Sequence, residues 1–554
     1  MKKIFLALMA VATLASCNLS YFPSDELNSD ALLQDEAGAE YIMDGCYSLL
    51  KDEVEFLGYS SGNTFVRHYF QLSEFPADNC NLSSHTTDPL YEATALKMTD
   101  NLKNVGTLWM VAYKVIYMTN TIIETLVEGE SAESDHLLGE AYFVRGWMHL
   151  NLAHLYARPY SHGRDNIGVP LHISTNNAVV TRAKVGEVYD QIVKDLTKAS
   201  ELMGASRGNA GYPCKNAALG ILSRVHLYME NWQECVNTVN TMLGSATPDS
   251  KLEKDFANYF RNAKTSAETL FCIAHEATDT RGQSSIGSMY LKDGMGWGEI
   301  YPSNTLLYLY ERYPEDIRYK GIILPQYLEA GTMTAYLPIE AQEGGISTGR
   351  SNMIANATPN GENYTCTIDG TKYTIEKRTI NGEYTEYWMK YNGEDVQVRV
   401  HPVMQKRKQI PIYYINKFSY QDGDPMLSSP IVCRWGEVLL NRAEAYAHLG
   451  QDAEALADVN VLRERAGIPE EGWFAAGKMH GYASALDVVL DERRLELAFE
   501  GHRLFDLIRN KRTIDRRFPG AQPWEVVEPD YPKLQYPIPN NEWTVSGIPQ
   551  NPTY

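Results

Sequence analysis

The chain has 554 residues and carries 70 Asp and Glu against 50 Lys and Arg, a formal charge of −20. Such an excess disfavours nucleic acid and anionic bilayer surfaces as partners and favours neutral or weakly charged ligands. Tyrosine is the outlier, with 36 residues against 15 Phe, so many rings carry a hydroxyl that must meet a partner or water, as in amphipathic binding platforms.

At the N-terminus, Lys2 and Lys3 precede an apolar run from Ile4 to Leu14 and the small pair Ala15-Ser16. The run is about half the ~20 residues a membrane-spanning helix needs, so residues 1–16 read as a removable export signal. Leu14-Ala15-Ser16-Cys17 resembles the lipobox of bacterial lipoproteins, which implies cleavage before Cys17 and acylation of its thiol. Several acyl chains on one residue make a stable anchor, with residues 17–30 as its tether. Asp25 and Glu26 resemble the acidic export signals of surface lipoproteins. The other cysteines (Cys46, Cys80, Cys214, Cys235, Cys272, Cys366 and Cys433) form no C-x-x-C pair, are odd in number and read as small buried hydrophobes.

From Ala31 to Leu126 the pattern predicts helices around a long irregular segment, Gly58 to Pro89. Helical periodicity is stronger over Gly139–Tyr156, Val185–Met203, Ala217–Tyr228 and Trp232–Leu243. The middle, Ala274 to Pro430, loses that period and is rich in Gly, Tyr and Pro. Within it Asp369-Gly370, Asn381-Gly382 and Asn392-Gly393 separate strand-like segments and suit tight hairpin turns, so a small antiparallel meander is predicted over about 364–400. Helices return at Val432–Leu449, Asp452–Ala466, Ser484–Glu500 and His502–Lys511, and the tail from Arg516 is Pro-rich and extended. Ser223–Asn240 overlays Ala443–Asn460, with Glu234 against Glu454 and Val239-Asn240 against Val459-Asn460. This repeat resembles tetratricopeptide hairpins. The predicted fold is therefore mostly α, with tetratricopeptide-like hairpins in a right-handed superhelical scaffold, an irregular middle and a small β meander.

The run Arg434-Trp435-Gly436-Glu437 to Ala445, the run Glu492-Arg493-Arg494 through Glu500-Gly501-His502-Arg503 to Arg509, and the tail's Ile538-Pro539 and Gln550-Asn551-Pro552 together resemble the SusD/RagB family of nutrient-capturing surface lipoproteins of Bacteroidetes. Trp109, Tyr113, Ile116 and Asn120, then Glu140-Ala141 and Arg145, then Gly168-Val169-Pro170-Leu171, follow in the family's order. The resemblance covers nearly the whole mature chain and implies regions over residues 31–270 and 271–554. It also implies a non-catalytic glycan-binding lipoprotein on the outer membrane, facing the cell exterior, that passes oligosaccharide to a SusC-like TonB-dependent transporter. Peptide capture and glycan hydrolysis are the competing readings. The charges from Glu492 to Arg509 recur every three or four residues and are expected to pair along and between helices, a structural role. Gly501 is expected to permit a close helix junction.

No H-E-x-x-H, G-x-S-x-G or phosphate-cradling Gly loop occurs. His149 and His154 are five apart, off the i, i+4 spacing of metal ligands. Asp422-Gly423-Asp424 lacks the spacing of a calcium loop and reads as a turn, so no cofactor is expected. A sugar site joins an exposed ring to hydrogen-bonding Arg, Asp or Asn. By the resemblance, such sites lie on loops of the N-terminal third and the middle, where Arg67, Asp78, Asn79, Tyr91, Tyr290, Trp297 and Tyr301 are the candidates. Trp297, between Gly296 and Gly298, is the leading one, while Trp109 is expected in the core.

Overall fold

The structure is a computed structural model and describes residues 36–83, 88–176, 181–328, 331–343 and 346–554. The predicted signal, Cys17 and the tether over residues 17–30 lie outside the described residues. The N-terminal helices are α1 Glu36–Lys51, α2 Phe65–Glu74, α3 Lys103–Thr125, α4 Ala132–Tyr156, α5 Val185–Leu202, α6 Lys215–Tyr228 and α7 Trp232–Leu243. They are followed by α8 Asn304–Glu311, then α9 Trp435–His448, α10 Asp452–Arg465, α11 Ala485–Glu496 and α12 Arg503–Arg509. Side chains from both halves of the chain, from Ala39 to Ile548, join one hydrophobic core. Trp109 lies in it, 2% exposed.

Helix α4 starts earlier than its apolar periodicity. The Ser131 hydroxyl accepts the Ser134 N–H at 2.9 Å, and Glu133 and Asp135 occupy the first turn, where negative charge meets the positive end of the helix dipole. Helix α2 corrects the expectation of an irregular stretch from Gly58 to Pro89. All ten of its residues are buried, the polar Arg67, His68, Gln71 and Glu74 included, and Thr64 caps it by accepting the Arg67 N–H.

The repeat is a structural one. Shifted by 220 residues, Lys215, Tyr228 and Trp232 fall on Trp435, His448 and Asp452, the corresponding boundaries of α9 and α10. The turns also correspond, with Glu230 at φ +60° and Gly450 at φ +73°. The two hairpins stack on each other. Trp232 lies face to face on His448 at 3.9 Å, Arg442 Nη1 donates to Asn240 Oδ1 at 2.7 Å, and Val239 and Val459 are both fully buried.

The middle is more regular than its composition suggests. Strands β1 Met333–Glu343, β2 Ile346–Asn356, β3 Thr358–Asn360, β4 Asn363–Ile368, β5 Thr371–Ile380, β6 Tyr384–Tyr391 and β7 Glu394–Pro402 form a seven-stranded antiparallel sheet in the order β2-β1-β7-β6-β5-β4-β3. The three predicted turns are present, each with positive φ at both residues (+49° and +78° at Asp369-Gly370, +53° and +78° at Asn381-Gly382, +49° and +91° at Asn392-Gly393), the conformation that matches strand twist. The meander is thus part of a larger sheet. Pro338 inside β1 and polar residues such as Arg350 and Asn352 in β2 hid the first hairpin from a period-2 reading. Leu337, Cys366, Ile375, Met389 and Val398 build a small core of the sheet's own.

The charged motif is buried. Arg434 bonds Glu268, Glu496 and Glu500, Arg318 bonds Asp316, Glu492 and Glu496, and Arg493 and Arg509 share Asp506 and Glu444. These groups join α9, α11 and α12 to neighbouring segments, the structural role expected of them. Helix α11 ends at Glu496, short of the predicted Glu500, because Phe499 (φ +72°) and Gly501 (φ +79°) turn the chain. A Cβ on Gly501 would stand 2.9 Å from the Ser73 Cβ, so glycine does permit the close junction with α2.

Candidate functional site

Trp297 sits on a tight loop leading into the strand Ile300–Pro302. Its N–H and that of Gly298 both donate to Ser288 O, at 2.6 and 3.0 Å, and the Glu299 N–H donates to Met289 O at 2.8 Å. A Cβ on Gly296 would fall 1.9 Å from Leu291 O, and Gly298 has φ +53°. The two glycines let the loop close, and the tryptophan between them stays 49% exposed.

It lines an open concavity of about 610 Å³ with Tyr59, Asp88, Asn101, Lys103 and Glu299. Tyr59 is 55% exposed, and the Lys103 ammonium stands 4.9 Å from its ring centroid. Burial lowers the Lys103 pKa, against the pull of Asp88. Asp88 faces Arg67 at 3.6 Å, Glu299 pairs with Arg407, and Asn101 Oδ1 accepts from Asn540 Nδ2 at 3.0 Å. Two exposed ring systems therefore border a rim of hydrogen-bonding groups whose charges are largely matched. Such a surface suits a ligand with one apolar face and many hydroxyls.

Of the sequence candidates, only Trp297 lines this concavity. Arg67 is buried behind it, against Asp88 and Gly62 O. Asp78 and Asn79 are buried joints. Arg503 holds both oxygens of Asp78 at 2.8 and 3.0 Å, and Arg494 donates to Asn79 Oδ1 at 2.8 Å, which ties the N-terminal segment to the charged motif. Burial would raise the Asp78 pKa, but Arg494 and Arg503 bring it down to about 2. Tyr290 is a core residue packed against Phe75, Phe418 and Phe499. Tyr301 is 1% exposed beside Ile410 and Ile412, and burial pushes its phenol up to about 12. Tyr91 is half-buried against the main core. These positions corrected the expectation because a loop composition says nothing of which face the core covers. Tyr59, Asp88, Asn101, Lys103 and Glu299 were missed. None stands in a pattern of its own, and only the fold brings them beside Trp297. Among the described residues no group of three His, Cys, Asp or Glu side chains could hold a metal ion, and no helix is long and apolar enough to cross a membrane.

Comparison with known proteins places this geometry in a family. The sequence profile described as "SusD family" matches residues 252–554, and one described as "Starch-binding associating with outer membrane" matches residues 26–227. A SusD-like protein of Formosa agariphila is 22% identical over 565 aligned positions, covering 97% of this chain and 98% of that one. A SusD superfamily structure from Bacteroides thetaiotaomicron superposes with a TM-score of 0.70 at 20% identity, covering 93% and 99% of the two chains. A SusD-like carbohydrate binding protein from Bacteroides vulgatus does so with a TM-score of 0.63 at 18% identity, covering 94% and 99%. With more than half of its length matched by the family profile and its helical scaffold shared with solved members, this chain belongs to the SusD family.

Proposed function

We propose that this protein binds a neutral glycan in the concavity beside Trp297, without cleaving it, and delivers it to a SusC-like TonB-dependent transporter. Acylation at Cys17 holds it on the outer membrane facing the cell exterior, where the tether keeps the receptor at high effective concentration over the transporter. The observation that carries the reading is the exposed Trp297 ring on its glycine-framed loop, bordering matched polar groups. The starch-binding and outer-membrane description of the N-terminal profile supports it.

The test is titration of the full chain with starch fragments and a panel of other neutral glycans. Trp297→Ala is expected to weaken binding about tenfold, the scale of one stacked ring, and mass spectrometry should recover the ligand intact. Unchanged affinity in the variant removes Trp297 from the site, and accumulating shorter products would make the protein an enzyme.

A further inference from the structure

A second concavity, of about 640 Å³, opens where α8 and the segment after it meet β5, β6 and β7. Its volume is that of a site for a small ligand, and its walls are rich in tyrosine: Tyr308, Tyr313, Tyr319, Tyr327, Tyr384 and Tyr387. Strand register sets part of this wall, because Tyr387 lies between Lys377 and Val398. A single bridge to Met404 places Tyr327 at the mouth, 45% exposed.

The walls are rigidly backed. Arg399 is held by Glu311 and by the Tyr413 hydroxyl at 2.8 Å. Arg312 lies 4.9 Å from the Tyr384 ring centroid while its Nη1 donates to the Tyr482 hydroxyl at 2.9 Å. Glu311 is thereby matched by Arg399. Among the described residues, however, the hydroxyls of Tyr313, Tyr319, Tyr327 and Tyr384 bond to no protein group, and none is sealed from water. A groove with ring surfaces and four available phenol hydroxyls fits a ligand dense in hydroxyls. Glu315, Glu386 and Glu471 on its walls oppose an anion.

We infer that this groove is a second saccharide-binding site, separate from the one beside Trp297. The inference rests on the glycan reading above. Its test is equilibrium binding of the full chain to a neutral-glycan panel that includes starch fragments, read as sites per chain. Two sites are expected, of which Trp297→Ala weakens one about tenfold and leaves the other unchanged. Adding Tyr327→Ala, whose half-exposed ring leaves the core untouched, should weaken that other site about tenfold. Adding Tyr384→Phe instead, which keeps the ring under Arg312 and removes one hydroxyl, should weaken it several-fold, with thermal melting unchanged in both. A single site weakened by Tyr327→Ala and indifferent to Trp297→Ala would uphold the groove and overturn the Trp297 site. A single site weakened by Trp297→Ala and indifferent to Tyr327→Ala would overturn the groove alone, and failure to bind any neutral glycan would overturn both.

Discussion

Arg434 and Trp297 belong to two regions built on opposite terms. Arg434 is 1% exposed and directs its guanidinium donors to Glu268, Glu496 and Glu500 and to the Glu496 carbonyl, all within the protein. Trp297 is half exposed, fixed by backbone hydrogen bonds, and presents its ring outward. In the first region the guanidinium of Arg434 is taken up by protein carboxylates and a carbonyl, which specifies how the helices join and leaves little for a ligand. The second keeps ring faces and hydroxyls available, and the same holds for the tyrosine-lined groove beside the sheet. Charge-rich motifs in this chain thus mark architecture, and sparse aromatic loops mark candidate recognition surfaces.

The comparison breaks most readily at the buried charges. Arg434→Ala removes the cation shared by Glu268, Glu496 and Glu500 in a site closed to water, and although Arg465, Arg318 and Lys417 remain beside them, breaking such a buried cluster costs about 3 kcal/mol. Urea unfolding should show a loss of that size. A loss below about 1 kcal/mol, the scale of a surface ion pair, would contradict the description of this region as an interlocked network.

Acid probes the same region more gently. Asp78 and Glu437 are buried, which by itself would raise their pKa values, yet Arg494 and Arg503 bring the former, and Arg224 with His502 the latter, down to about 2. Because the folded values lie below the unfolded ones, their stabilisation is complete above the ordinary carboxylate range and is lost as pH falls towards 2. The part due to Asp78 is about 2 kcal/mol, and Asp78→Asn should remove that part of the acid dependence. Glu74 has the opposite sign. Burial raises it to about 7, so its contribution is lost as pH rises from the ordinary carboxylate range through 7, and Glu74→Gln should flatten that window. Unfolding midpoints measured across both ranges separate the two effects.

The smallest effect is expected in the sheet, at the turn between β6 and β7. Gly393 has φ +91° and nothing within 4 Å of a built Cβ, so Gly393→Ala meets only backbone strain, about 1 kcal/mol. The main helical core should keep its hydrogen-exchange protection while the β6–β7 hairpin loses some. Loss of protection in α9 and α11 would mean that the sheet and the helices are one cooperative unit.

Much of the scaffold was readable beforehand. The hairpins α6–α7 and α9–α10 announce themselves through amphipathic period and shared residues, and the turns of the meander through Asp-Gly and Asn-Gly, because these signals are local. Helix α2 was overlooked although its apolar Phe65, Val66, Tyr69 and Phe70 alternate with polar residues at helical spacing, because it is only ten residues long and set among Gly- and Pro-containing loops. The first hairpin of the sheet was obscured by Pro338. For the candidate site, the Gly296-Trp297-Gly298 triplet stood out as the leading candidate, whereas Asp78, Tyr290 and Tyr301 stayed eligible beside it until the fold enclosed them.

By itself, then, the sequence determined the helical repeats, the tight turns and the family to which the chain belongs, because each depends on residues close together or on motifs kept in order. Only the tertiary structure decided which rings and polar groups face water. Exposure depends on what distant segments cover, and the same tyrosine or aspartate serves as core, joint or binding surface according to its neighbours in space.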